Sequence, residues 1–266
     1  MIQPALLTAL RKQNPLVVCL TNTVTINDVA NGLLAIGASP VMGDEVEDVV
    51  QMVAHASGLL INTGTLSGGN FEMMKAAAEK ANARRIPVVL DPVGIGATAY
   101  RKNFNLQLLQ AIRVDAIRGN AGEIAALAEI EWQSKGVDAG EGDHESVVAA
   151  AKKVAQQYQT LVAISGVSDF ITDGKQVVRI DNGTALFPKM TGSGCLFGGI
   201  AAAFLATENS LTALETAAAT YAIAGEKASE IAEGPGSFRL QLMDALYQLN
   251  EADVKTQVKM EVVTNG

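Results

Sequence analysis

Short apolar runs alternate with amphipathic helical stretches from residue 15 to residue 165, and this rhythm constrains the fold more than any other feature of the chain. The runs Pro15–Leu20, Gly58–Ile61, Ile86–Leu90, Val114–Ile117 and Leu161–Ile164 are bounded by turn residues and are almost uninterruptedly hydrophobic. Such runs suit strands covered on both faces, as in a parallel sheet. Helical patterns over 26–37, 45–56, 69–84, 103–112, 121–129 and 144–158 fall between them. Parallel neighbours need crossover connections, usually helices, so the pattern predicts an α/β, three-layer fold with a mostly parallel central sheet flanked by helices. Asp173-Gly174-Lys175, between Phe-Ile-Thr and Val-Val-Arg-Ile, predicts an antiparallel edge hairpin. The last third reads as helices over 193–207, 210–232 and 236–249, followed by a polar C-terminal tail over 251–266. Nothing resembling a linker or a repeat divides the sequence, so residues 1–266 are expected to form one domain.

Composition excludes several function classes. The net charge is −8 and basic residues are not clustered, which argues against nucleic acid or an anionic membrane surface as partner. No apolar run is long enough to span a bilayer, and the first residues lack the order of a signal peptide, so a cytoplasmic protein is expected. The two cysteines, Cys19 and Cys195, lie far apart, and a disulfide is not expected. Cys19, inside PLVVCL, reads as a core residue. The two histidines, His55 and His144, read as structural or surface residues, which leaves no basis for a histidine triad or a tetrahedral zinc site. The Gly136–Asp143 stretch reads as an exposed connector.

Ligands of open parallel sheets sit beyond the carboxyl ends of the strands. Five successive strand ends here carry polar or glycine residues: Thr21-Asn22, Asn62-Thr63-Gly64, Asp91-Pro92-Val93-Gly94, Arg118-Gly119-Asn120 and Ser165-Gly166. Asp91 and Glu123 are the carboxylates best placed for a metal. Asn120-Ala-Gly-Glu123 equally fits a helix capping box, and both roles are open to Glu123. Arg118 is read as the sole basic residue of this rim, with Arg84, Arg85, Arg101 and Lys102 in solvated positions. Its guanidinium suits bidentate binding of phosphate.

Met190-Thr-Gly-Ser-Gly-Cys195 opens the first helix of the last third with almost no side chains. A glycine-lined helix start offers unpaired N–H groups and a positive dipole end, which binds phosphate or a developing oxyanion without a lysine. Cys195 stands beside that cradle, where the helix end is expected to lower its thiol pKa. Metal, arginine, anion cradle and acceptor-side group together form the parts list of a phosphoryl-transfer site. Neither a P-loop nor a Gly-x-Gly-x-x-Gly dinucleotide loop is present.

Thr191-Gly192-Ser193-Gly194-Cys195 resembles the Gly-x-Gly-Asp loop of ribokinase-like kinases, with cysteine where most members carry the catalytic aspartate. Asn120-Ala-Gly-Glu123 resembles their Asn-x-x-Glu motif. With Thr21-Asn22-x-Val24-Thr25, Ser39-Pro40-Val41-Met42 and Asp91-Pro92-Val93-Gly94, the chain is similar over roughly residues 10–250 to the hydroxyethylthiazole kinase family. The resemblance implies a ribokinase-like fold and ATP-dependent phosphorylation of 4-methyl-5-(2-hydroxyethyl)thiazole in thiamine salvage. It implies a thiazole site at Asn22, Met42, Gly64 and Gly192. ATP would lie against Arg118, Ser165 and Gly194, with Mg²⁺ organised by Asp91 and Glu123 and Cys195 near the acceptor hydroxyl. It also implies a homotrimer with sites where subunits meet. Two alternatives stay open: a kinase for another small vitamin alcohol such as hydroxymethylpyrimidine, and a nucleotide- or thiazole-binding sensor that has lost catalysis with its aspartate.

Overall fold

The computed structural model describes residues 1–130 and 144–263; the Gly136–Asp143 stretch lies outside the described residues. Among the described residues, nine strands form one sheet: β1 (Leu16–Leu20), β2 (Ser39–Met42), β3 (Gly58–Asn62), β4 (Val88–Asp91), β5 (Ala116–Asn120), β6 (Leu161–Ser165), β7 (Asp169–Thr172), β8 (Val177–Ile180) and β9 (Met260–Val262). Their order is β2-β1-β3-β4-β5-β6-β7-β8-β9. The first six run parallel, and β7, β8 and β9 continue the sheet antiparallel.

Alternation along the strands explains the three layers. Val17, Cys19, Leu60, Val89 and Ala163 point to one face, where α1 (Ala5–Gln13), α2 (Ile26–Ile36), α8 (Ser193–Thr207), α9 (Leu211–Ile231), α10 (Pro235–Gln248) and α11 (Glu251–Gln257) pack. Val18, Leu20, Leu59, Ile61, Leu90 and Val162 point to the other, covered by α3 (Val46–Val53), α4 (Asn70–Arg84), α5 (Ala99–Ala111), α6 (Ala121–Leu127) and α7 (His144–Tyr158). With both faces covered, the strands need apolar residues at nearly every position, which is the sequence pattern observed. Helix α8 is hydrophobic all round and buried from Cys195 to Leu205, so it is the central helix of its layer. Among the described residues, no helix is long and apolar enough to cross a membrane.

Several elements differ from expectation. Helix α1 and edge strand β2 carry no strong pattern and were not expected; Pro40 is tolerated in β2 because only one neighbour, β1, pairs with it. Helix α5 begins at Ala99, four residues early, because Thr98 caps it by accepting from the Arg101 amide. Helix α3 stops at Val53, leaving His55 beyond it. The polar tail forms α11 and β9. Lys259 donates to Glu226 and Asn182 donates to the carbonyl of Gln257, which clasps this segment to α9 and the end of β8. The antiparallel edge is therefore three strands, not a lone hairpin.

Candidate active site

The register of the parallel strands lines up their carboxyl ends. Asn62 of β3 stands opposite Asp91 of β4, and Asn120 of β5 opposite Ser165 of β6. The order β2-β1-β3 places β1 and β3 at the switch point, where the chain reverses its direction of travel across the sheet and the crevice for a ligand opens.

A chain of hydrogen bonds and one ion pair crosses five of these strand ends. The Asn22 amide, just after β1, donates to Cys195 Sγ (3.3 Å) and to Asn62 Oδ1 (3.0 Å). The Asn62 amide donates to Asp91 Oδ2 at 2.7 Å, and Asn62 Oδ1 also accepts from the Gly64 amide at 2.9 Å. Asp91 Oδ1 faces Arg118 Nη1 at 3.5 Å. Arg118 Nε in turn donates to Ser165 Oγ at 3.3 Å, and the guanidinium lies 5.8 Å from the centre of the Phe197 ring. Asn22, Asn62, Asp91 and Arg118 are all buried.

Helix α8 closes this assembly from one side. Gly192, its N-cap, has φ +88°, and a Cβ there would stand 2.5 Å from Thr25 Cγ2. A Cβ on Gly194 would stand 2.4 Å from Arg118 Nη1. The guanidinium thus rests directly on the start of α8, where N–H groups have no intrahelical partner. Two positive ends face each other there, a local field suited to an anion. The Ser193 carbonyl accepts from the Tyr221 hydroxyl (2.7 Å), and Tyr221 stacks on Phe197 and Phe187, which fixes the first turn of the helix.

Glu123 completes the capping box expected from sequence: Asn120 Oδ1 accepts from its amide (2.9 Å), and its Oε2 accepts from the Asn120 amide (2.8 Å). Its Oε1 accepts from the Gly94 amide at 2.8 Å, so the same side chain also holds the loop after β4. Among the described residues, no group of three or more His, Cys, Asp or Glu side chains could hold a metal. The Asp91 carboxylate fits an Mg²⁺ ligand, and Glu123, with both oxygens accepting backbone amides, fits one that acts through water. Asp91 Oδ1 is buried without a hydrogen-bond partner, and Mg²⁺ takes one or two carboxylates and fills its shell with water and phosphate oxygens.

Burial and the neighbouring Asp91 carboxylate push the Cys195 thiol up, outweighing Thr25, Asn62 and Arg118, which pull it down. The lowering expected from the helix end is therefore not the net result. Burial likewise raises Asp91, opposed by Arg118, and pushes Asp169, at the start of β7, up to about 7. Cys19 is buried in the core as expected, and neither cysteine is in a disulfide. His144 packs edge-on against Phe170.

Asn22, Gly64, Asp91, Arg118, Ser165, Gly192, Gly194 and Cys195 thus gather at one rim, with Glu123 bounding it. Met42 stands apart at the end of edge strand β2, paired in register with Cys19. Asn62, one of the rim residues read from the sequence but given no role there, links Asn22 to Asp91. Arg101 was assigned to solvent and Arg118 called the only rim cation, yet Arg101 donates to the carbonyls of Thr63 (2.8 Å), Gly64 (2.9 Å) and Val93 (3.0 Å).

This sheet order, with the glycine-opened α8 packed on it, is the ribokinase-like fold. A solved ribokinase-like superfamily protein from Enterococcus faecalis V583 shares the fold at a TM-score of 0.65 and 12% identity, covering 91% of this chain and 89% of that one. The chain belongs to the hydroxyethylthiazole kinase family, whose model matches residues 7–252. A hydroxyethylthiazole kinase of Haemophilus influenzae (strain PittEE) is 46% identical over 257 residues, 96% of this chain and 97% of its own. The solved hydroxyethylthiazole kinase protein of Pyrococcus horikoshii OT3 superposes with a TM-score of 0.90 at 39% identity, covering 97% of this chain and 98% of that one.

Proposed function

We propose that the protein transfers the γ-phosphoryl group of ATP to the hydroxyl of 4-methyl-5-(2-hydroxyethyl)thiazole, in the cytoplasm, as a step of thiamine biosynthesis. The observation that carries this reading is the polar chain that is hydrogen-bonded from Cys195 through Asn22 and Asn62 to Asp91 and ion-paired from Asp91 to Arg118. It joins an acceptor end, Asn22, Gly64 and Gly192, to a phosphate end, Arg118, Ser165 and Gly194.

The acceptor oxygen forms its bond to the γ-phosphorus as the bond to the β–γ bridging oxygen breaks. Arg118 and the amides opening α8 hold the phosphoryl oxygens, and fixed donors in a buried site need little reorganisation as charge shifts. Asp91 and Glu123 would hold Mg²⁺, which when bound neutralises phosphate charge. Cys195 positions the acceptor hydroxyl. With its thiol raised it is a poor base at neutral pH, which a loose transition state tolerates because the proton leaves late, passing to an oxygen of the transferred phosphoryl group.

The protein is proposed to act as a homotrimer whose neighbouring subunits meet at the site. Met42 on edge strand β2 fits this arrangement, as do the exposed apolar side chains of Val24, Ile26 and Leu34 on and before α2. The test is ADP release from ATP and Mg²⁺ on adding the thiazole alcohol or hydroxymethylpyrimidine, with sedimentation velocity on the same sample. Thiazole-dependent ADP release and a trimer are expected. Preference for the pyrimidine overturns the substrate, binding without ADP release overturns the enzyme reading, and a monomer overturns the assembly.

A further inference from the structure

We propose that Arg101 is a positioning residue for the acceptor subsite, locking the loop after β3 to the loop after β4 through three backbone carbonyls. This deepens, and rests on, the reading that Gly64 lies against the acceptor. Nη1 donates to the carbonyls of Thr63 and Val93, and Nη2 to that of Gly64. Carbonyl oxygens repel one another, and three from two different loops converge here on a permanently charged planar fork, which a lysine ammonium cannot reproduce. The fork is held in turn. Thr98 accepts from the Arg101 amide, and the Arg101 carbonyl accepts from the Asn105 amide, whose Oδ1 accepts from Thr63 Oγ1 at 3.2 Å.

The consequence is a Gly64 peptide fixed from both sides. Its N–H goes inward to Asn62 Oδ1 and its carbonyl outward to Arg101. The loop after β4 is gripped the same way, with the Val93 carbonyl on Arg101 and the Gly94 amide on Glu123. Arg101 is the outer fastening and Asn62 the inner one, so the acceptor loop keeps its distance from the Asp91 end of the site. Arg101 touches no reacting atom in this scheme.

The test uses the full chain, its R101A and R101K variants, and methylguanidinium as the added probe. R101A is expected to raise KM for the thiazole alcohol about tenfold while KM for ATP stays within about twofold. Added methylguanidinium restores kcat/KM about fivefold, and methylammonium at equal ionic strength does not. R101K follows R101A in its KM values, and it carries the test where R101A does not fold. Equal rises in both KM values, rescue by neither cation, or an R101K indistinguishable from wild type overturns the proposal. Hydrogen exchange at the Gly64 amide separates this inference from the substrate reading, since it needs no turnover. Protection is expected to fall about tenfold in the variants. Unchanged protection overturns the Arg101 role, whereas a wild type inactive on the thiazole alcohol overturns only the substrate.

Discussion

Asn62 donates its amide to Asp91 across adjacent strand ends, 2.7 Å apart, and this contact sets the direction of two asparagines. An ionised carboxylate only accepts, so Asn62 must turn its nitrogen to Asp91 and its oxygen to Gly64 and Asn22. Asn22 then gives one N–H to Asn62 and the other to Cys195, while its own oxygen accepts from the amides of Val24 and Thr25, each at 3.1 Å. The backbone amides of Gly64, Val24 and Thr25 demand the same orientations independently. Donation runs outward from Asn22, to the Cys195 sulfur on one side and through Asn62 to Asp91 on the other, where Arg118 meets the carboxylate as its cation.

Asn62→Asp removes the donor to Asp91 and keeps the acceptor for Asn22 and Gly64. Two carboxylates at hydrogen-bond distance cannot both ionise, so they share a proton and the pair titrates well above the ordinary carboxylate range. A raised folded-state pKa gives stability that is present below the unfolded value and lost as pH rises. The variant should therefore lose more melting temperature against wild type at pH 8 than at pH 5. Asn62→Leu leaves Asp91 without its donor at every pH, a cost of about 1–3 kcal/mol. An Asn62→Asp melting curve parallel to wild type across this range would refute the orientation argument.

The layers were legible because a strand covered on both faces must be apolar throughout, and GLLI or LVAI admits few other readings. Strand ends were legible for the same reason: the polar residues that follow each run mark the rim, which located Asn22, Asn62, Asp91, Arg118 and Ser165. Edge elements were not. Strand β2 and strand β9 are paired on one side or by few residues, so neither needs an unbroken apolar run, and α1 is only nine residues long. Arg101 was misread because its partners are backbone carbonyls, which leave no trace in side-chain identity. Cys195 was read from the helix end and the phosphates it would face, while its burial and the nearness of Asp91 exist only in three dimensions.

Gly194 separates the phosphate end from the acceptor end. Gly194→Ala places a Cβ 2.4 Å from Arg118 Nη1, so the guanidinium must withdraw from the start of α8. Alanine is otherwise a good helix former, and the helix itself should survive. Steady-state kinetics are expected to give a KM for ATP raised about tenfold, corresponding to about 1.4 kcal/mol, with KM for the thiazole alcohol nearly constant. An unchanged ATP KM would mean that Arg118 is not a phosphate ligand.

Cys195 is tested by two substitutions. Cys195→Ser keeps a small polar group and is expected to lower kcat while leaving ATP affinity nearly intact. Unchanged turnover would reduce the thiol to packing. Cys195→Asp supplies a better base of similar reach and is expected to keep or raise kcat. Because burial and Asp91 raise the thiol, any base role in the wild type grows towards alkaline pH, whereas the aspartate variant holds its activity at lower pH. Identical pH profiles for wild type and Cys195→Asp would remove residue 195 from proton transfer.

Asp169 gives the protein a pH dependence of opposite sign to the usual carboxylate. Burial pushes it up to about 7, and neither the Gly166 amide, which donates to it at 3.0 Å, nor the charge of Arg118 restores it. Its folded-state value lies above its unfolded one, so its contribution to stability is complete below about pH 4 and disappears as pH rises towards 7. Asp181 is lowered by the Ser168 hydroxyl and Arg179, and Asp253 by Lys227; both act in the other direction, so the raw melting profile mixes both signs. Asp169→Asn isolates the single group, since the amide stays neutral and still offers Gly166 an acceptor. The melting temperature of the variant relative to wild type should climb between pH 5 and pH 8. A change of about 1 kcal/mol corresponds to roughly 2–4 °C in a chain of this size. A difference that stays flat, or falls, would show that Asp169 is ionised throughout and that Arg118 holds it so.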